Sequence, residues 1–160
     1  MTQLTSVPVQ IGQVKIGREG HLLNAILGSC IGIGFLHPTQ GIYGLAHALL
    51  AKSDGPTLKG RGRHVDQAIQ SLLKMMDIRD EDRRKVRVVL TGGANMTMPP
   101  GTDPKRLVGS SNAGFARKAV RASGLRITHE DLGGENGRRI KIDCTQGSYA
   151  IEAIPRLKST

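Results

Sequence analysis

Two apolar runs, at residues 24–36 and 42–50, are separated by only five residues, which read HPTQG. Apolar runs of this length that meet at a segment with Pro and Gly are typical of β-strands joined by a turn. The longer run is interrupted by Asn24 and Ser29, and it falls short of the ~20 apolar residues that a membrane-spanning helix requires. The pair therefore predicts a buried β-hairpin and no insertion into a membrane.

The rest of the chain combines several strand patterns with two helical ones. Apolar residues at three- and four-residue spacing predict a helix over 64–77, and a second helix is expected over 110–124, from a serine start to a glycine stop. A loop rich in Gly, Lys and Arg is expected at 52–63. Five further segments are strand-like: 7–16, 85–96, 125–131, 138–144 and 148–154. We therefore expect one α/β or α+β domain over residues 1–160, a layered sandwich with helices flanking a mixed sheet.

The cysteine content separates this chain from disulfide-stabilised secreted proteins. Its 160 residues are enough for one core that buries roughly two-thirds of the surface of the unfolded chain. The two cysteines, Cys30 and Cys144, lie far apart and form no CxxC pair. The first residues lack the basic and apolar regions of a signal peptide. We therefore expect a protein of the reducing cytoplasm, without disulfides or structural zinc.

The charge of the chain predicts an acidic partner. Lys and Arg number 23 against 13 Asp and Glu, a net charge of +10, which suits nucleic acid, an anionic membrane or an acidic protein surface. Single-strand nucleic-acid binding usually adds stacking aromatic side chains, and this chain has two Phe, two Tyr and no Trp. The basic residues are also dispersed, as on an ordinary solvated surface. The pattern therefore disfavours a nucleic-acid role.

Cys30 follows a predicted turn at Gly28 and Ser29, and His47 comes 17 residues later, near the end of the second apolar run. A cysteine attacks as its thiolate, and a neighbouring histidine lowers the thiol pKa by forming a thiolate–imidazolium pair. Adjacent strands of the hairpin can place the two side by side. Asn24, six residues before Cys30, would share one face of the same strand and accept a hydrogen bond from the imidazole. The ordinary alternative is a small buried cysteine in the core.

Two glycine clusters and the other histidines predict neither a phosphate site nor a metal site. The sequences TGGANMT, at 91–97, and LGGENGRR, at 132–139, lack the features of a phosphate-binding loop, so tight turns are expected there. The remaining histidines show no HExxH-like pairing; they are His21, His37, His64 and His129. We therefore expect no metal and no cofactor.

The sequence LGSCIGIGFLHPTQGIYGLAHALL, at 27–50, resembles the signature of the CheD family, the chemoreceptor glutamine deamidases of bacterial and archaeal chemotaxis. The resemblance continues through RHVDQAIQSLLKMM, LTGGANM, VGSSNAGFARKAV and EDLGGENGRRIKIDCTQG, in the order of that family, from about residue 10 to 154. It implies a layered sandwich akin to the catalytic domain of deamidating bacterial toxins. It also implies that the nucleophile is Cys30 and the histidine His47, whereas the family's third position, usually Thr or Ser, falls on Asn24.

The chemistry implied by this resemblance is hydrolysis of a glutamine side-chain amide through a cysteine thioester, with His47 moving the protons. Backbone N–H groups near Ser29 and Cys30 would stabilise the oxyanion, because Gly28 leaves room for a substrate carbonyl. The implied partners are the cytoplasmic domain of a methyl-accepting chemoreceptor and a CheC-like phosphatase. Two other classes stay open: an inactive adaptor of the same fold, if Asn24 cannot orient His47, and a basic nucleic-acid-binding protein.

Overall fold

The structure, a computed structural model, describes residues 3–55 and 60–156. These residues form strands and α-helices with the following bounds: β1 (Thr5–Pro8), β2 (Val14–Gly17), β3 (His21–Leu27), β4 (Ile31–His37), β5 (Ile42–Ala48), α1 (Val65–Met75), β6 (Arg87–Gly92), α2 (Val108–Ala122), β7 (Arg126–Leu132), β8 (Gly137–Asp143) and β9 (Ser148–Ile154). Short 3-10 helices lie at Pro38–Gln40, Asp80–Lys85 and Pro104–Arg106. None of the helices in these two ranges is long and apolar enough to cross a membrane.

The strands form two mixed sheets that pack face to face. The order is β1-β3-β8-β9 in the four-stranded sheet and β2-β5-β4-β6-β7 in the five-stranded sheet. One apolar core fills the space between the two sheets, and a second core joins the five-stranded sheet to α1 and α2. The molecule therefore has three layers, sheet, sheet and helices, and the expected α+β layered sandwich is confirmed.

Strand β4 is the middle strand of the five-stranded sheet, and its sequence IGIGF explains how it packs against both apolar cores. Its large side chains, Ile31, Ile33 and Phe35, belong to the core against the helices. Its glycines face the other sheet, where a Cβ on Gly32 would lie 2.6 Å from Leu27 and a Cβ on Gly34 would lie 3.1 Å from Ile142. The alternation of large side chains and glycines therefore lets the two sheets approach closely over β4.

Two predicted strands are each divided in the structure. The run 24–36 is not one strand, because the chain turns at residues 28–30 and passes from β3 in one sheet to β4 in the other. The segment 7–16 is likewise divided into β1 and β2, which also belong to different sheets. Both halves of each segment are apolar because each lines the packed layers, so hydrophobicity alone did not reveal the breaks.

The other predicted elements agree with the structure. The hairpin is formed by β4 and β5, and the strand patterns in the second half correspond to β6, β7, β8 and β9. The first predicted helix is α1, and the second is α2, which begins two residues before the expected serine start. The predicted loop at 52–63 lies partly outside the described residues, which omit 56–59.

Candidate active site

Cys30 and His47 lie near one end of the five-stranded sheet. Cys30 directly precedes β4, and His47 on β5 stands opposite Gly32 in the antiparallel register. Cys30 comes two residues before Gly32, so continuation of this register past Ile31 would make Cys30 the diagonal neighbour of His47. Gly32 has no side chain to separate them. Both residues are buried, with exposed fractions of 6% for Cys30 and 5% for His47.

The main chain around Val9 holds the imidazole ring of His47. The His47 Nδ1 atom lies 3.0 Å from the Val9 carbonyl oxygen, and since a carbonyl only accepts hydrogen bonds, Nδ1 carries the proton. The other ring nitrogen, Nε2, therefore has the free lone pair when the ring is neutral. The Val9 N–H in turn donates to the Asn24 carbonyl at 2.7 Å. A main-chain carbonyl thus orients the histidine, and no side-chain pattern in the sequence could reveal it.

The structure does not place the Asn24 side chain against His47. Asn24 lies on β3, in the four-stranded sheet, and its Nδ2 atom donates to Ser6 Oγ at 2.9 Å and to the Leu22 carbonyl at 3.1 Å. The expectation that Asn24 and Cys30 share one face of a single strand was wrong, because the turn at 28–30 separates their strands. Asn24 is linked to His47 through its main-chain carbonyl and Val9.

The turn that follows β6 is hydrogen-bonded to Cys30 and Gly28. The Gly93 N–H donates to the Cys30 carbonyl at 2.9 Å, and the Ala94 N–H donates to the Gly28 carbonyl at 3.0 Å. Gly92 has φ +104°, and a Cβ there would lie 2.1 Å from the Cys30 carbonyl oxygen. This position therefore requires glycine, because any side chain would displace the Cys30 main chain.

The N–H groups of Ser29 and Cys30 have no main-chain acceptor among residues 3–55 and 60–156. In the register of β4 with β6, where Gly32 stands opposite Thr91, Cys30 would stand opposite Gly93. The chain leaves the sheet at Gly92 and Gly93, so no carbonyl completes that pair. Unpaired N–H groups at a nucleophile are suited to binding the negative oxygen of a tetrahedral intermediate.

A cleft of about 250 Å³ borders Ser29. Its walls include Met96, which packs against Gly28, and the first turn of α2 at Val108. A larger cavity of about 450 Å³ lies at the opposite end of β4, beside His37, and is lined by neither Cys30 nor His47. The smaller cleft is not lined by these two residues either, but it adjoins Ser29, the neighbour of Cys30.

Burial favours the uncharged forms of both residues. It raises the pKa of the Cys30 thiol above its ordinary value. It lowers the pKa of His47, against the smaller opposing effect of the hydrogen bond to the Val9 carbonyl. Both shifts oppose the charged forms that the thiolate–imidazolium pair expected from the sequence would require. A neutral imidazole with a free Nε2 is instead suited to take the thiol proton when attack occurs.

Alkylation with iodoacetamide tests these protonation states. We expect Cys30 to react slowly at pH 7 and faster as the pH rises beyond 9, because only the thiolate reacts and the thiol pKa is raised. Burial raises the pKa of Cys144 to about 11, so Cys144 should be slower still. Mass spectrometry of the single-cysteine variants Cys144→Ala and Cys30→Ala over this pH range measures each thiol separately. If the alkylation rate of Cys30 is already high at pH 7 and does not rise further with pH, Cys30 is a thiolate in a preformed ion pair.

Within the described parts of the chain, no group of three or more His, Cys, Asp or Glu residues is arranged to hold a metal ion.

Comparisons with known proteins place the whole chain among related proteins. Residues 49–153 match a family model described as CheD, CheD chemotactic sensory transduction. The chain is 57% identical, over 99% of its length and 97% of the relative, to the probable chemoreceptor glutamine deamidase CheD 2 of Ruegeria sp. (strain TM1040). It is 32% identical to the probable chemoreceptor glutamine deamidase CheD of Methanococcus maripaludis (strain C5), over 94% of this chain and 97% of that one.

Another relative and one solved structure extend the comparison. The probable chemoreceptor glutamine deamidase CheD of Bdellovibrio bacteriovorus is 31% identical over 92% of this chain and 94% of that one. The crystal structure of the hypothetical protein YfiH of Bacillus licheniformis has a TM-score of 0.48 and 13% identity, over 81% of this chain and 60% of that one. The family match begins at residue 49, after Cys30 and His47, so the roles of these two residues depend on the geometry above.

Proposed function

The chain belongs to the CheD family, and we propose that it deamidates chemoreceptor glutamines with Cys30 as nucleophile and His47 as its acid–base partner. The observation that carries this proposal is the hydrogen bond of His47 Nδ1 to the Val9 carbonyl. It leaves Nε2 unprotonated in the neutral ring, and continuation of the β4–β5 register past Ile31 would make this ring the diagonal neighbour of Cys30. A cysteine with a pre-oriented base is what attack on a carboxamide needs.

In the first half of the reaction, His47 Nε2 takes the proton of the Cys30 thiol while the sulfur attacks the carbonyl carbon of the glutamine side chain. The negative oxygen that forms would accept hydrogen bonds from the N–H groups of Cys30 and Ser29. The imidazolium then gives its proton to the nitrogen. The carbon–nitrogen bond breaks, ammonia leaves, and a thioester remains on Cys30.

In the second half, water attacks the thioester carbonyl and gives one proton to His47 Nε2. The carbon–sulfur bond breaks, the sulfur takes the proton from the imidazolium, and the product is a glutamate side chain. The net change is the amide plus water to the acid plus ammonia, with no oxidant or reductant. Each converted glutamine would add one negative charge to the receptor.

The test of this function is a reaction of the purified protein with the cytoplasmic fragment of a chemoreceptor. We expect release of ammonia and, in mass spectra of the fragment, the gain in mass that accompanies conversion of specific glutamines to glutamate. Binding of the fragment without ammonia or mass gain would identify an adaptor instead and would overturn the proposed activity. The cytoplasmic location and an interaction with a CheC-like phosphatase stay predictions.

Replacement of Asn24 distinguishes two roles of its side chain. The sequence predicts that it orients His47, whereas its hydrogen bonds in the structure suggest that it stabilises the fold. We expect Asn24→Ala to lower the free energy of unfolding by about 1 kcal/mol, because the hydrogen bonds to Ser6 and Leu22 are lost. The turnover of each folded molecule should be unchanged, since the side chain does not contact His47. Turnover and denaturant unfolding are measured on the same preparations. The Asn24→Thr variant, with the usual residue of the family, should also turn over normally.

A tenfold loss of turnover in Asn24→Ala, at unchanged stability and with recovery in Asn24→Thr, would contradict this expectation. It would mean that a side chain at this position acts on His47 during catalysis.

A further inference from the structure

A four-residue turn at 10–13, between β1 and β2, is hydrogen-bonded to the main chain of His47. The turn is closed by the Gln13 N–H, which donates to the Gln10 carbonyl at 2.9 Å. The Gly12 N–H donates to the His47 carbonyl at 2.8 Å, and the His47 N–H donates to the Gln13 carbonyl at 3.1 Å. The turn and His47 are therefore fixed to one another by two main-chain hydrogen bonds.

The side chain of Gln13 also binds inside this turn. Its Oε1 atom accepts a hydrogen bond from the Gln10 N–H at 2.9 Å. A main-chain N–H only donates, so the carboxamide of Gln13 presents its oxygen, and not its nitrogen, to Gln10. Gln13 therefore holds both main-chain groups of Gln10, the carbonyl through its own N–H and the N–H through its side chain.

The Gln10 N–H belongs to the same peptide group as the Val9 carbonyl, which accepts the hydrogen bond from His47 Nδ1. The peptide bond between Val9 and Gln10 is trans, so the group is planar and its C=O and N–H point in opposite directions. Gln13 Oε1 binds one side of this group, and His47 Nδ1 binds the other. A chain of two hydrogen bonds thus runs from the Gln13 carboxamide through the peptide group to the imidazole.

The other hydrogen bond of Val9 does not by itself fix the direction of this carbonyl. The Val9 N–H donates to the Asn24 carbonyl at 2.7 Å, but it belongs to the preceding peptide group. Rotation about the Cα–C bond of Val9 would turn the Val9 carbonyl and the Gln10 N–H together and leave the Val9 N–H in place. The hydrogen bond to the Gln13 carboxamide opposes this rotation. It also strengthens the bond to His47, because hydrogen bonds in a chain polarise one another.

We infer that Gln13 is a positioning residue of the active site, whose carboxamide holds the Val9 carbonyl toward His47 Nδ1 and so keeps His47 Nε2 free to take the thiol proton. This is the role of the third group behind a Cys–His pair, which the sequence pattern assigned to the side chain of Asn24. Gln13 acts through Val9 and not on the substrate. The inference rests on the proposed function, in which His47 Nε2 is the base.

Turnover of three variants tests this role. Gln13→Ala removes the acceptor, and we expect kcat to fall about fivefold, the scale of one neutral hydrogen bond, at unchanged KM. Gln13→Glu should restore nearly the parental kcat, because a carboxylate oxygen can accept from the same N–H. The matched control is Gln10→Ala, in the same turn, which keeps the main-chain groups that Gln10 contributes and should turn over like the parent.

The tautomer of His47 gives a second measurement that does not depend on activity. Nitrogen NMR spectra of the isotopically labelled protein, recorded where the ring is neutral, distinguish a protonated ring nitrogen from an unprotonated one. The signals of His47 are those that are missing in His47→Asn. We expect one tautomer, with the proton on Nδ1, in the parent and in Gln13→Glu, and a share of the tautomer protonated on Nε2 in Gln13→Ala.

Thermal unfolding of each variant accompanies these measurements. If Gln13→Ala does not fold, Gln13→Leu takes its place, because it removes the acceptor and keeps most of the side-chain volume.

The outcomes separate this inference from the proposed function. The parental tautomer in Gln13→Ala would overturn the positioning role, whether or not the parent is active. A changed tautomer in a protein whose parent releases no ammonia would support the positioning role and overturn the activity. An active parent whose kcat falls equally in Gln13→Ala, Gln13→Glu and Gln10→Ala would show that the turn only stabilises the fold, which would overturn the positioning role and leave the activity standing.

Discussion

Replacement of Cys30 with Ala is expected to abolish the conversion of glutamine to glutamate and to leave the protein folded. The substitution removes the only atom that forms the thioester, so no slower version of the same route is available. The structural cost is small, on the order of 1 kcal/mol, because one buried sulfur is lost and no large core side chain is removed. Ammonia release and mass spectrometry of the receptor fragment measure the activity, and circular dichroism with thermal unfolding measures the fold.

Cys144→Ala provides the matched control for this experiment. Cys144 is also a buried cysteine in the core between the sheets, but it follows β8 and packs against Gly17 and Leu23, far along the sheet from Gly28. We expect this variant to keep most of its activity, with a comparable loss of stability. Full activity in Cys30→Ala would exclude the thioester mechanism, and equal loss of activity in both variants would show that the two sulfurs act only through packing.

The hairpin that carries His47 could be predicted because it depends on local sequence. The turn HPTQG limits β4 and β5 to an antiparallel pair, and the register then follows from the length of the turn. A difference of 17 residues across such a turn brings Cys30 and His47 to the same end of the hairpin. The helices were predictable for a similar reason, since an apolar stripe at helical spacing indicates its own buried face.

The change of sheet at residues 28–30 and the contact of Val9 with His47 could not be predicted in this way. The partners of β3 are β1 and β8, and β8 lies more than a hundred residues away in the chain, so no local pattern specifies that pairing. The hydrogen bond that orients His47 comes from a main-chain carbonyl, which every residue possesses. The sequence pattern favoured a polar side chain, that of Asn24, which is hydrogen-bonded to Ser6.

The second large effect is expected at His47, where substitution by Ala should lower kcat by roughly a hundredfold or more, the usual scale for loss of a positioned acid–base group. Two variants separate the loss of the base from the loss of packing. His47→Ala removes both the base and the hydrogen bond to Val9, whereas the side-chain amide of His47→Asn can still donate to the Val9 carbonyl. We expect both variants to be equally slow, and His47→Asn to be the more stable of the two.

The pH dependence of these variants identifies the proton that His47 moves. Burial lowers the pKa of His47 below its ordinary 6.5, so the imidazole is neutral above that pH, and wild-type kcat/KM should fall only as the pH decreases through the lowered pKa. Without His47, attack requires a thiolate formed in solvent, and burial raises the Cys30 pKa above 9.0. The rate of either variant should therefore still be rising at pH 9, and the ratio of wild-type to variant rates should shrink toward high pH. A constant ratio over this range would mean that His47 supports the site without accepting the thiol proton, because loss of a purely structural contact lowers the rate equally at every pH.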